Sequence, residues 1–426
     1  MNTTKKATSC PIATYAFLLA GLLLIACQQD KKGENLTFSL QALPTPSKEG
    51  AQPNFHRSAQ GQLYLSWVEY LNDSTDALLF SHLEADQWVT PKEIASGNDW
   101  FVNWADFPTF ASSQDGKTLA AHWLQKRAAG TYDYDVRISQ SLDNGNTWSE
   151  AFIPHRDSIA AEHGFVSMLA LPNNQLFATW LDGRFTKTKE NNPTHPEGEA
   201  QGGAMTVRAA TFDAKGQLSE EAELDFRVCD CCQTAAALTS KGPIVAYRDR
   251  SQEEIRDIGI VRQVDGQWTA PAIIFPDNWK IAGCPVNGPA LAAQADEVVI
   301  AWFTGANEQA SVKVAFSSDA GAHFGTPFII PDASPLGRVD IVWVGPGKAI
   351  VSWLSQAEEK EEASIKLQYY TPTGALGPAQ TVIKTDPSRN SGFPILAYAK
   401  ESLYLAWTAV DSLSATVVKT AKITLP

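Results

Sequence analysis

"GFVSMLALPNNQLFATW", residues 164–180, carries the pattern on which the fold turns. A stretch rich in small and apolar residues leads into the polar turn Pro172–Gln175, and a second apolar stretch ends on Trp180. Two short apolar runs around a polar turn are a strand-type signal. Six further segments have this shape: "PNFHRSAQGQLYLSW", "DFPTFASSQDGKTLAAHW", "CQTAAALTSKGPIVAY", "NGPALAAQADEVVIAW", "VDIVWVGPGKAIVSW" and "GFPILAYAKESLYLAW". The seven closing aromatics are Trp67, Trp123, Trp180, Tyr247, Trp302, Trp353 and Trp407, spaced by 56, 57, 67, 55, 51 and 54 residues. A strand-rich repeat near 55 residues implies small sheets arranged radially. After the aromatic comes a third strand, as in "DVRISQS" (135–141) and "SVKVAFS" (311–317), then a fourth such as "PFIIP" (327–331). Four strands per unit make a propeller blade. The expected fold is all-β, a seven-bladed β-propeller, with six blades as the alternative. The last unit holds only three strands, "GFPILAY", "SLYLAWTA" and "TVVKTAKITL". Its fourth is expected from "NLTFSLQAL" (35–43), which would seal the ring and leave no open edge.

The first residues read as export machinery. A basic start, "MNTTKK", precedes the apolar run "YAFLLAGLLLIA" and Cys27. Twelve apolar residues are too few to span a bilayer and suit a secretory signal. "LLIAC" (23–27) resembles the bacterial lipobox, which implies cleavage before Cys27 and lipid on its sulfur. The expected organisation is a signal over residues 1–26, a polar tether over 27–35 and the propeller over 36–426. The expected location is the bacterial cell envelope, at the periplasmic face or cell surface, with membrane contact through the lipid alone. Lys and Arg number 34 against 47 acids; losing Lys5 and Lys6 with the signal, and no acid, takes the net charge from −13 to −15. Such a balance disfavours nucleic acid and anionic lipid as partners. A monomer is expected.

"SLDNGNTW", residues 141–148, falls between the third and fourth strands of the second unit. Ser141 and Asp143 suit hydrogen bonding to their own turn, Gly145 suits a positive φ, and Trp148 can pack between sheets. The string matches S-x-D-x-G-x-T-W, the Asp box of sialidase-like (BNR-repeat) propellers. "SSDAGAHF" (317–324) and "SHLEADQW" (81–88) are weaker copies at the same place in other units. The chain thus resembles the sialidase-like superfamily over its whole mature length, which implies the fold and gives the box a structural role. Sialidases of this superfamily hold a substrate carboxylate with three arginines and use a Tyr–Glu nucleophile pair and an Asp acid/base. Their F/Y-R-I-P string is absent here, the nearest being Phe226–Cys229, so no catalytic residue is carried over.

In a propeller, connections that lead into the innermost strand and those that leave the second strand share one face. Asp182, Arg184, Arg248, Asp249, Arg250, Arg338 and Asp340 fall there and are the candidate ligand-binding residues. Arginine forks suit carboxylates and paired acids suit glycosidic chemistry, so a glycan or small acidic sugar is the expected ligand; a structural ion-pair network is the alternative. "FTKTKENNPTHPEGEAQGGAMT" (185–206) accounts for the 67-residue spacing and is expected as a partial lid on that face.

"CDCCQT" adds a different chemistry. Cys229 aligns with Cys284 of the next unit, both just before an innermost strand, so Cys229, Cys231, Cys232 and Cys284 are expected at one mouth of the channel, with His163 nearby. Three readings stay open: a Cu or Zn site, disulfides in an oxidising compartment, or a redox dithiol. An interaction scaffold is the remaining alternative for the whole protein.

Overall fold

The computed structural model describes residues 37–187, 203–219, 221–357 and 361–425. The signal, Cys27, the tether and the middle of the insertion after Phe185 lie outside them. Seven antiparallel sheets form a closed ring. In blade 3 the strands are His163–Ala170, Leu176–Asp182, Met205–Phe212 and Ala222–Val228, in chain order from the centre outward. Blade 7 takes three strands from the C-terminal region and its fourth, Ser39–Leu43, from the N-terminal side, with Ser39 opposite Thr424 and Leu43 opposite Thr420. That is the closure expected from "NLTFSLQAL". Blade 2 has three regular strands, and its fourth is reduced to a bridge between Ile138 and Phe152.

The repeat exists because each blade buries the same residue. All seven closing aromatics are buried between neighbouring sheets. A buried indole N–H needs an acceptor, and four blades supply a carboxylate. Trp67 donates to Glu69 (2.8 Å), Trp180 to Asp182 (2.9 Å), Trp302 to Asp277 (2.7 Å) and Trp353 to Asp332 (2.6 Å). Tyr247 does the same to Asp225 (2.6 Å). Cations on the third strand or the loop leading to it balance several of these acids: Lys313 on Asp277, Lys366 on Asp332 and Arg184 on Asp182.

The turn at 141–148 has the expected internal bonds. Gly145 N donates to Ser141 Oγ (2.8 Å), and Asn146 N and Thr147 N donate to Asp143 Oδ1 (3.0 and 2.9 Å), with Gly145 at φ +76°. Trp148 meets Phe80 of blade 1 edge-on at 5.8 Å. Residues 317–323 repeat the turn, with Gly321 N on Ser317 Oγ and His323 N on Asp319 Oδ1. Residues 81–88 do not. With no acid or glycine at the required places, the chain there makes a tight hairpin on Ala85 and Asp86.

Candidate functional site

The innermost strands enclose a central cavity of about 350 Å³, lined from every blade by residues such as His56, Thr109, Val166, Ala236, Leu291, Ile341 and Leu396. Its rim is set by the connections that lead into those strands. The connection from blade 3 to blade 4 starts at Cys229, whose N–H donates to Arg248 O (2.9 Å), and ends at Gln233, which lines the cavity. Between them the chain curls rather than extends. Cys229 Sγ therefore lies 3.7 Å from Cys231 Sγ and 3.5 Å from Cys232 Sγ. Cys229 and Cys232 are buried, Cys231 half-buried and Cys284 exposed, and none is in a disulfide. Cys284 comes from the connection into blade 5; its sulfur, that of Cys231 and an oxygen of Asp230 lie within 4.8 Å of one another. Adjacent blades thus bring all four cysteines to one place.

Arg256 controls the charge there. Its Nη1 donates to Cys229 Sγ (3.1 Å) and Asp230 Oδ1 (3.3 Å), and its Nη2 to Glu254 (2.8 Å). Hydrogen bonds from Cys231 and Cys232, joined by the Arg256 charge, pull the Cys229 thiol well below its ordinary range. The other two move up, Cys231 through its bond to Cys229 and Cys232 first through burial. Of the three sulfurs, that of Cys229 is thus the one most disposed to carry negative charge.

Beside it stands a group of acids. Tyr134 Oη donates to Glu162 Oε1 (2.9 Å) and, at 3.4 Å, to Asp106 Oδ2, and Asp106 lines the cavity. Burial, with the charges of Asp106 and Asp230, pushes Glu162 up to about 8 against the Tyr134 bond. Burial likewise takes Asp106 and Asp340 to about 7. These acids hold protons in the folded state that they would release when unfolded, so stability falls as pH rises through their folded pKa values. His56 and His122, lowered by burial to about 4 and about 3, act in the opposite sense below the ordinary histidine pKa. The fall is therefore read between about pH 6.5 and 8. The melting temperature is expected to drop across that window, and Glu162→Gln to flatten the drop. An equal slope in the variant would show that Glu162 is ionised throughout.

The residues expected to bind ligand are held largely by the protein's own groups. Arg184 grips Asp182 (2.7 and 2.8 Å) and Glu221 (2.6 Å). Arg248 is buried and donates to the carbonyls of Asn287, Arg256 and Phe303. Arg338 is buried too, on carbonyls of residues 387, 388 and 392 and on Ser391 Oγ, and burial lowers it to about 10. Asp340 accepts from Leu396 N (2.6 Å) and lines the cavity. Arg250 pairs with Glu254 at 2.7 Å. Burial and the nearby Asp225 raise Asp249 to about 7. His163 is not with the cysteines: it bonds Asp157 Oδ2 at 3.0 Å between blades 2 and 3. Sequence reasoning passed over Arg256, Glu162, Tyr134 and Asp106. Glu162 did carry a signal, as the neighbour of His163 ahead of an innermost strand.

No family model and no curated protein matches the chain. Solved structures do. A protein of unknown function from Dyadobacter fermentans is 11% identical, with TM-score 0.51 over 91% of this chain and 98% of its own. The polysaccharide lyase Uly1 is 10% identical, with TM-score 0.52 over 94% of each. The NanB sialidase of Streptococcus pneumoniae is 9% identical, with TM-score 0.48 over 86% of this chain and 84% of its own. At these identities the likeness is one of fold, and polysaccharide lyases and sialidases are among the proteins similar to this chain in that respect.

Proposed function

We propose that this is a lipid-anchored envelope propeller that binds one soft metal ion, Cu(I) or Zn(II), at the mouth of its central channel. The donors are the sulfurs of Cys229, Cys231 and Cys232, with Cys284 as the exposed fourth. The carrying observation is the 3.5–3.7 Å spacing of the sulfurs. Ligands at a Zn–S distance of about 2.3 Å in tetrahedral array stand about 3.8 Å apart. A disulfide needs about 2.05 Å. Arg256 on Cys229 supplies the outer hydrogen bond that orients a thiolate ligand.

Binding through thiolate sulfur releases the thiol protons, so apparent metal affinity is expected to fall steeply as pH is lowered below neutrality. The deciding experiment is elemental analysis and thiol counting on the full chain, purified without chelator. The expected result is about one equivalent of copper or zinc, with thiols that alkylate only after the metal is stripped. Metal content unchanged in Cys231→Ser and Cys284→Ser would defeat the proposal.

A second reading, chemistry on a glycan at the same mouth, is favoured by Glu162. General-acid attack on a glycosidic oxygen requires a carboxylic acid that keeps its proton near neutrality, and Glu162, raised to about 8 and linked through Tyr134 to Asp106 on the wall of the cavity, is one. The glycan-directed names of the lyase and the sialidase of similar fold agree with it. A rise in melting temperature on a glycan panel that is lost in Glu162→Gln would support it, and no shift on any member would remove it.

A further inference from the structure

Between blades 2 and 3 a second set of metal-ligating side chains is buried away from the thiols. His163 Nδ1 lies 3.1 Å from Ala161 O and 3.2 Å from Tyr134 O, and donates to them. With Nδ1 donating to carbonyls, Nε2 faces Asp157 Oδ2 at 3.0 Å and Asp182 Oδ1 at 3.6 Å, a place that either a proton on Nε2 or a metal ion fills. A histidine tied by one nitrogen to a carbonyl, with the other facing carboxylates, is arranged as a metal ligand is. Donors about 2.0–2.2 Å from one ion in tetrahedral array stand about 3.4 Å apart, which these separations match.

His155 is the independent observation. It is buried, its ring lies parallel to that of His163 with centroids 3.7 Å apart, and neither of its nitrogens makes a hydrogen bond. Its Nδ1 stands 3.3 Å from Asp157 Oδ2 and its Nε2 3.7 Å from Asp135 Oδ1. A buried imidazole that faces carboxylates without a well-formed hydrogen bond is costly unless a proton or a cation is shared between them. Asp157 and Asp182 face a single guanidinium, that of Arg184, so the remaining negative charge is met either by a proton on His163 or by a metal cation. Asp135 is paired separately with Arg127 and Arg137, and Glu221 and Glu223 with Arg208.

We infer that His155, His163, Asp157 and Asp182 form a nitrogen- and oxygen-donor site for one divalent first-row cation such as Zn²⁺, joining blade 2 to blade 3. Imidazole with carboxylate suits borderline divalent ions of this class, whereas the cysteine cluster also takes thiophilic ions such as Cu(I). To share an ion, the two rings rotate out of their parallel stack. The site does not depend on the thiolate reading.

Co²⁺ tests it, because sulfur ligands add a charge-transfer band in the near ultraviolet that nitrogen and oxygen ligands lack. The full chain with Cys229, Cys231, Cys232 and Cys284 all changed to serine should bind one equivalent, with visible d–d bands and no charge-transfer band. Adding His155→Gln should weaken that binding at least tenfold. His155 is the position to change because it makes no hydrogen bond to lose. In the parent chain the same site should appear as a cobalt equivalent without sulfur absorption, so the test does not rest on the serine variant folding. A folded four-serine chain that binds no cobalt, or binds it equally with His155→Gln, overturns the inference. So does a parent chain whose every bound equivalent shows the sulfur band. Loss of the sulfur band alone removes the thiolate reading and leaves this one standing.

Discussion

Arg248→Ala is expected to lower the unfolding free energy by about 4 kcal/mol, while Arg250→Ala changes it by less than about 1 kcal/mol. Both arginines sit on the face where sequence places ligand-binding groups. Their surroundings decide the difference. Arg248 is 1% exposed and joins its own blade to the next, through Arg256 O on one side and Asn287 O and Phe303 O on the other. Its guanidinium also lies over the Trp279 ring at 5.0 Å. Truncation leaves three buried carbonyls without a donor and a cavity where the side chain was. Arg250 is a quarter exposed and pairs with acids that are themselves partly exposed, Glu254 at 2.7 Å and Asp230 at 3.9 Å. Urea unfolding of the full chain reads both. A loss below about 1 kcal/mol for Arg248→Ala would mean that water replaces the guanidinium and that the side chain is available to a ligand.

Deleting residues 37–43 is expected to remove about 5 kcal/mol and to make the protein aggregate. The segment carries two buried anchors. Phe38 stacks on Tyr369 of blade 6 with centroids 5.3 Å apart, and Leu43 packs with Leu63 of blade 1 and Tyr404 of blade 7. Each contributes about 2–3 kcal/mol by burial. The five-residue ladder to Thr420–Thr424 adds to this, and its loss exposes a full strand edge. Chemical denaturation measures the first effect and light scattering against concentration the second. A monomeric deletion variant of parental stability would show that three strands suffice for blade 7.

The architecture was legible because it rests on a period. A buried aromatic at the end of each second strand leaves a mark that repeats seven times, and the three-strand deficit of the last unit points to its missing partner. Irregular edges left no such mark: blade 2's fourth strand shrinks to the Ile138–Phe152 bridge, and residues 81–88 take a hairpin rather than a capped turn. The cysteines could be placed at one mouth because Cys229 and Cys284 hold equivalent positions in adjacent units. Their spacing could not be read, since it depends on how the connection curls. Arg248 and Arg338 show where pattern runs out. An arginine after a second strand looks the same whether it faces solvent or turns inward onto carbonyls. His163 is similar: its partners Asp157 and Asp182 are near in sequence, but His155 reaches it by a stack that no spacing rule encodes.

The seam in blade 7 also sets how the molecule bears force. Ser39 lies opposite Thr424, so the two ends of the chain leave the ring side by side. Tension between them loads the ladder from that end, one hydrogen bond at a time, as a zipper opens. A strand sheared along its length would share the load among all its bonds. Under tension applied between Ser39 and Thr424, the ring should therefore open first at this seam and at low force, while the six other blades, each closed within one stretch of chain, stay folded.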